Sequence, residues 1–310
     1  MDLRQLRHFI AVVEQGSFSR AAQQVHLTQP ALTRSIRALE DFVGTQLLDR
    51  GASGVRSTRA GQAMYQHAKF MINEAERARH EVRLAAEGLG GELTLAVGEM
   101  FVDHHIHRAI ARLVTEHDQG SVPQVSVTVR QVFIEEAVPL LLDGQVDLAL
   151  VVAPASRMGP GLAFQALAPV PFAVFAGVDH PLAGAASLTM ADLTRQRWAL
   201  LDRPHADDFM VRYFAGGRQA MPSASVRVDS LALMRSLVLH EGFLALLPAD
   251  MVMGSTATAL AAPDMPIVRQ AGLLHRSDAP LRPLAQRLVA LLRDTFPAGP
   301  AGQAGGVKRT

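Results

Sequence analysis

The sequence predicts an α/β chain with an all-α head: three short helices and a small β-hairpin, then one long helix, then a two-lobed α/β domain. Three observations predict it. Residues 3–43 hold three apolar helical stripes separated by turn signals. Residues 59–87 continue a single helical period without a break. Beyond Gly91, short β-branched runs alternate with helical patterns. The expected boundaries are 1–58 for the head, 59–88 for the long helix, 89–296 for the α/β domain and 297–310 for a flexible tail. That tail, PAGPAGQAGGVKRT, has only Val307 as a large apolar anchor.

In the head, Leu3, Leu6, Phe9, Ile10 and Val13 share one helical face. Gly16 ends that helix and Ser17 caps the next, which turns Phe18, Ala21, Ala22 and Val25 inward. After a tight turn, Thr28 is the expected N-cap of the third helix. Pro30 sits in its first turn, where a missing N–H costs nothing. Leu32, Ile36, Leu39 and Val43 form the buried stripe of this helix. Its other face carries Pro30, Thr33, Arg34 and Arg37, with Thr28, Gln29 and Ala31 at the leading turn. Glutamine and arginine are the side chains that read adenine and guanine edges in the major groove, and free N–H groups of a first turn hold phosphate. The third helix therefore has the form of a recognition helix for double-stranded DNA. Gly44 ends it. Residues 45–58, TQLLDRGASGVRST, then form a hairpin wing whose tip is flanked by Arg50 and Arg56, both able to reach phosphate or the minor groove.

The run GSFSRAAQQVHLTQPALTRSIRALEDFVGTQLLDR, followed by STRAG, closely resembles the DNA-binding signature of LysR-type transcriptional regulators. The match runs almost continuously over about residues 1–65. It implies a regulator that binds promoter DNA.

Thr58 is the expected cap of the long helix. Ala60, Met64, His67, Met71, Ala75, Ala78, Val82 and Ala85 recur at spacings of four and three, and the helix spans roughly 40 Å at about 1.5 Å per residue. This stripe suits a coiled-coil-like seam with a second copy; the alternative is an amphipathic helix packed on its own domain. In LysR-type regulators the helix pairs two subunits. The resemblance thus implies a homodimer through it, a homotetramer as the further assembly, and RNA polymerase as a further partner. Gly88, Gly90 and Gly91 form the expected hinge.

The remainder reads as strand at 93–97, helix at 103–116, strand at 125–129, helix at 135–142 and strand at 147–152, a β-α-β-α-β unit with a parallel sheet. A second unit starts near Ala163, with strands at 172–175, 198–201, 225–228 and 243–247 and helices at 206–215 and 230–239. The chain then returns through 267–275 and closes with a helix over 281–295. Lobe 1 is expected over 91–163 and 267–296, lobe 2 over 164–266. The segments DGQVDLALV, VDHPLA and HEGFLALLPADMV resemble the effector-binding domain of LysR-type regulators, which is similar in fold to periplasmic binding proteins.

In open α/β sheets a ligand sits beyond the C-terminal strand ends. This points to Gly98, Glu99, Met100 and Phe101, to Gln131, Val132 and Phe133, and to Leu201, Asp202, Arg203 and His205. Ser230 caps a helix that faces the same cleft. Many LysR-type regulators carry a small hydroxyl residue in the first loop, able to bind an effector carboxylate. Glu99 and Met100 stand there in this chain, so an anionic effector would meet repulsion unless Arg203 or His205 compensated, and a neutral or cationic small-molecule effector remains open. Glu99 turned to solvent or paired with an arginine is the plainer reading.

Other classes find little support. The chain has no cysteine, which removes disulfides, thiol chemistry and thiolate metal sites. Asp103, His104, His105 and His107 read as solvated groups at a helix start rather than metal ligands. Met221, Met251, Met253 and Met265 read as core and loop filling. No catalytic motif, cofactor or metal is expected, and Glu99 with His205 is the only pair an enzyme reading could nominate. A net charge of +1 confines nucleic-acid binding to a local patch. With no signal sequence and no apolar run of about 20 residues, the expected location is the cytoplasm, away from membranes, which argues against a plain periplasmic solute-binding protein.

Overall fold

The computed structural model describes residues 1–51, 54–86, 91–102, 106–117, 125–153, 161–203, 206–216, 219–223, 225–252, 255–263 and 268–296. The expected tail, the hinge residues Gly88 and Gly90, and the side chains of Asp103, His104, His105, His205, Met253 and Met265 lie outside them.

The head is built from α1 (Leu3–Gln15), α2 (Phe18–Gln24) and α3 (Gln29–Val43), followed by β1 (Leu48–Gly51) and β2 (Gly54–Ser57). Asp2, Ser17 and Thr28 cap the three helices with their side chains, and Gly16 and Gly44 end α1 and α3 at φ +57° and +74°. A left-handed residue there lets the chain reverse without a Cβ clash. The core holds Leu6, Phe9, Val12, Phe18, Ala21, Leu32, Ile36 and Leu39. Two expected members differ. Leu3 (39% exposed) lies at the outer end of α1, which turns Ala11 and Val12 inward instead. Val43 (39% exposed) stands beyond the last packed turn of α3, where Leu47 and Leu48 enter the core from the wing.

Helix α4 (Arg59–Ala86) starts at Thr58, whose Oγ1 accepts from the Gly61 N–H at 3.0 Å. A Cβ on Gly61 would lie 2.0 Å from the Leu47 carbonyl oxygen, so only glycine lets the helix start this close to the wing. The two readings of the α4 stripe divide along its length. Ala60, Met64 and Met71 pack beside the buried Ala68 against the head, whereas His67, Ala78 and Val82 (70% exposed) face outward.

The α/β domain runs β3 (Glu92–Val97), α5 (His107–His117), β4 (Ser126–Gln131), α6 (Ile134–Leu142), β5 (Leu148–Val152), β6 (Leu162–Gly177), α7 (Met190–Thr194), β7 (Ala199–Leu201), α8 (Ala206–Gly216), β8 (Val226–Val228), α9 (Leu231–His240), β9 (Ala245–Pro248), β10 (Ala257–Ala259), β11 (Val268–Arg276) and α10 (Pro283–Thr295). β3 lies between β4 and β5, parallel to both, as the β-α-β-α-β pattern requires. β11 pairs antiparallel with β5 and with β6, so the sheet is mixed.

The second unit departs from expectation at its start. The strand expected at 172–175 is the far half of a 16-residue strand. The near half of β6 pairs with β11 as far as Pro171 opposite Val268, and its far half pairs with β9 and β10. The chain therefore crosses between lobes inside one strand near Pro171, not at a loop near Ala163. β7 pairs parallel with β8, and Trp198, fully buried, centres the lobe 2 core and donates from Nε1 to the Leu193 carbonyl at 2.9 Å.

Lobe 1 also receives α4. Arg77 pairs with Asp147 at 2.7 Å and donates to the Gly144 carbonyl. Lys69 pairs with Asp143, and Asn73 Nδ2 donates to the Asp143 carbonyl at 2.6 Å. The other Asp147 oxygen accepts from the Thr94 N–H at 2.9 Å. Arg282, before α10, reaches back to Glu74 at 2.9 Å and to Glu81. Gly144, at φ +70°, faces Phe70: a Cβ there would lie 2.8 Å from the ring. The Arg276 guanidinium stacks over that ring, 3.6 Å from its centre. Among the described residues no helix is long and apolar enough to cross a membrane.

Candidate DNA interface and inter-lobe cleft

Helix α3 turns Thr28, Gln29, Pro30, Arg34 and Arg37 outward, all exposed, with Ala31 and Thr33 partly covered. Leu32, Ile36 and Leu39, fully buried, fix the rotation of the helix that produces this face. Thr28 Oγ1 accepts from the Ala31 N–H at 3.4 Å. Ser19 Oγ donates to Gln29 Oε1 at 3.0 Å, which occupies the amide oxygen and leaves the amide N–H2 as the outward donor pair. This link between α2 and the leading turn of α3 is a feature the sequence reading missed; a serine on α2 gives no signal of its reach.

The wing is fixed to both ends of this unit. Glu40 on α3 accepts the Leu47 and Leu48 N–H groups at 2.8 and 3.1 Å, and the Val55 N–H donates to the Gly16 carbonyl at 3.0 Å. The hairpin pairs Arg50 with Val55 and Asp49 with Arg56, and Arg56 is exposed. The side chain of Arg50 lies outside the described residues. Beneath this surface His8 is buried, its Nδ1 2.7 Å from Ser35 Oγ. Burial, and then the nearby Arg4 charge, hold its imidazole below the usual histidine range.

In the α/β domain, the loop after β3 is a single 3-10 turn, Glu99–Phe101, entered from Gly98, whose N–H donates to the Leu150 carbonyl at 2.8 Å. Only Glu99 leaves this turn toward lobe 2. Met100 and Phe101, expected along the cleft, are buried in the lobe 1 core, where Phe101 meets Phe296 edge-on. An apolar pair one turn long has a full core to fill beneath it, and the charged residue takes the outward position.

The Glu99 carboxylate crosses to lobe 2. Its Oε2 accepts the Leu231 N–H at 2.9 Å and its Oε1 the Ala232 N–H at 3.0 Å, at the N-terminus of α9. Ser230 Oγ takes the next N–H, that of Leu233, at 3.3 Å. The Ser230 carbonyl accepts from Met234 and opens the helical ladder. The first three N–H groups of α9, which a helix leaves without internal partners, are thus all satisfied by side chains, two by the Glu99 carboxylate of the opposite lobe and one by Ser230.

Arg203 crosses the other way. Its guanidinium lies 4.0 Å from the Phe133 ring centre, 3.6 Å from Glu136 Oε1 and 3.5 Å from the Asp229 carbonyl. Its Nε is buried without a partner. Glu136 also accepts the Phe133 N–H at 2.9 Å and caps α6. Gln131 is the exposed last residue of β4, Val132 packs partly against the core beneath α6, and Phe133 offers its ring to Arg203. Leu201 packs in lobe 2, and Asp202 is exposed with its N–H on the Val228 carbonyl. Glu99 neither turns to solvent nor pairs with an arginine: its carboxylate takes the α9 N–H groups, while Arg203 reaches Phe133 and Glu136. His205 lies outside the described residues, and His107 is exposed at the start of α5.

Comparison with known proteins agrees with this layout. Residues 3–62 match the family model described as "Bacterial regulatory helix-turn-helix protein, lysR family", and residues 86–297 match "LysR substrate binding domain". The SDS degradation transcriptional activation protein of a Pseudomonas species is 33% identical over 94% of this chain and 96% of its own. The regulator CbbR of Cereibacter sphaeroides is 30% identical over 97% and 98%. Among solved structures, full-length CbnR with its target DNA covers 96% of this chain and 100% of its own at a TM-score of 0.60 and 22% identity, a likeness of fold.

Proposed function

The chain belongs to the LysR family of DNA-binding transcriptional regulators, and from that premise we propose which of its surfaces do the work. The head, 1–58, reads promoter DNA with α3 in the major groove. Arg34 and Arg37 contact base edges, the Gln29 amide donates, Thr28, Pro30, Ala31 and Thr33 line the approach, and Arg50 and Arg56 hold the flanking backbone. The observation that supports this best is the exposed donor face of α3, fixed in rotation by its three fully buried aliphatic residues and in tilt by the Glu40 clamp on the wing. The domain over 89–296 binds a small-molecule effector between its lobes, and the linker over 59–88 carries the outcome to the head. The outward residues His67, Ala78 and Val82 of α4 suit a homodimer seam, which sets two heads on a two-fold site; a tetramer and a contact with RNA polymerase follow as the next assembly steps, in the cytoplasm.

A salt-dependent anisotropy titration on the DNA upstream of the chain's own gene tests this. Wild type binds specifically, and Arg34→Ala weakens the specific site by about 10- to 100-fold while leaving non-specific binding within severalfold. Equal binding by both proteins would reject α3 as the reading surface.

A further inference from the structure

Every free N–H in the first turn of α9 has a partner, and two of the partners are the oxygens of one carboxylate that belongs to the other lobe. A carboxylate spread over two adjacent N–H groups at a helix start is the arrangement a bound anion takes. Here the anion is part of the chain. Glu99 is held close to lobe 1 by the turn it stands on, with Phe101 locked in the core two residues on and the Gly98 N–H tied to β5. Its reach to α9 therefore fixes the distance between lobes, not merely the cap of a helix. Arg203 makes the reciprocal contact from lobe 2 to the Phe133 ring and to Glu136. The two contacts start from opposite lobes and end on opposite helices, α9 and α6, so together they resist both opening and twisting.

We propose that Glu99 is a tethered carboxylate that takes the place of an anionic ligand at α9 and, with Arg203, holds the cleft closed in the absence of any effector. The proposal rests on the cleft being the effector site. It has a consequence for ligand class. A free carboxylate finds no unpaired N–H at this helix end in the wild-type protein. An effector that enters beside the clasp carries no carboxylate toward α9, while one that ends in a carboxylate must first evict Glu99 and so opens the contact it replaces.

Removal of two charge-assisted hydrogen bonds shifts a closed–open equilibrium by roughly 10- to 100-fold. The chain has no cysteine, so one pair of introduced cysteines labels it cleanly. Spin labels at Ala290→Cys on α10 and Val178→Cys after β6, both exposed and in different lobes, report the inter-lobe distance in the full chain. Dilution with unlabelled protein removes distances between subunits. Wild type gives one narrow distribution that millimolar acetate leaves unchanged. Glu99→Ala gives a second, different population, and acetate does not reverse it, because acetate on the vacated N–H pair has no tether to lobe 1. Arg203→Ala also broadens the distribution. Thermal unfolding of each variant establishes that both fold. A wild-type distribution in Glu99→Ala overturns the clasp, and so does its recovery on addition of untethered acetate. Promoter binding by the same proteins is read separately. Loss of the clasp signal with intact wild-type DNA binding overturns this proposal alone, and wild type that ignores promoter DNA overturns the regulator reading while the distances still decide the clasp.

Discussion

Lobe 1 has two neighbours, and it holds them by different means. On one side α4 is pinned by Arg77, Lys69 and Asn73 to Asp147, Asp143 and their loop, with Asp147 and Asp143 almost wholly buried and a glycine cleared for Phe70. On the other side lobe 2 meets lobe 1 through the half-buried Glu99 carboxylate and Arg203 guanidinium, through Met251, which packs against both cores, and along the strand β6 that runs through both. The first contact cannot loosen in part, because a buried aspartate that loses its arginine is left charged and unpaired. The second can open with water taking over each hydrogen bond. The difference teaches where loosening costs most: the seat of the linker on lobe 1 is the costlier contact to break, and the contact between the lobes the cheaper.

Four substitutions sharpen the contrast. Asp147→Ala removes the partner of Arg77, a second neighbour of Arg282 and the acceptor for Thr94, and should cost roughly 4 kcal/mol in chemical denaturation of the full chain. A loss under about 1 kcal/mol would make the linker contact as soft as the cleft. Gly144→Val forces a β-branched residue to φ +70° and its Cβ into Phe70, for about 3 kcal/mol, with proteolysis of the linker as a second readout. Phe133→Leu keeps apolar bulk but removes the face under Arg203. It should cost about 1 kcal/mol of inter-lobe contact at most, visible as a broader label distance with little change in melting temperature.

The smallest effect lies in the head. His8 has a folded pKa below its unfolded value of about 6.5, so the folded head favours the neutral ring. Its contribution is complete above that value and is lost as pH falls through 6.5 toward the folded pKa. His8→Asn should remove this acid sensitivity of the head's melting curve between pH 7 and 5; an unchanged profile would place the titrating group elsewhere.

The head was legible in the sequence because its signals are local. Caps at Ser17 and Thr28, stops at Gly16 and Gly44 and the 32–36–39 stripe each act within one or two turns. The parallel strands β3, β4 and β5 were legible for the same reason. The crossing inside β6 was not, since Pro169 and Pro171 look like a strand end, whereas here they sit in a long strand whose partners change around them. The clasp was not legible at all. Glu99 and Leu231 lie 132 residues apart, and the partner is a backbone N–H, which every residue but proline offers. Reading Glu99 against nearby arginines looked for a charge where the fold supplied a helix end.

The pairing of Pro171 with Val268 has one more consequence. The chain leaves lobe 1 and re-enters it on two neighbouring antiparallel strands, at positions that face each other across the ladder. Everything between those two residues is topologically an insertion into a hairpin. A different lobe could be spliced in at the same two points without altering the strand order of lobe 1, the seat of α4 or the spacing of the head. Such an arrangement lets chemical preference and genetic address diversify as separate modules of one gene.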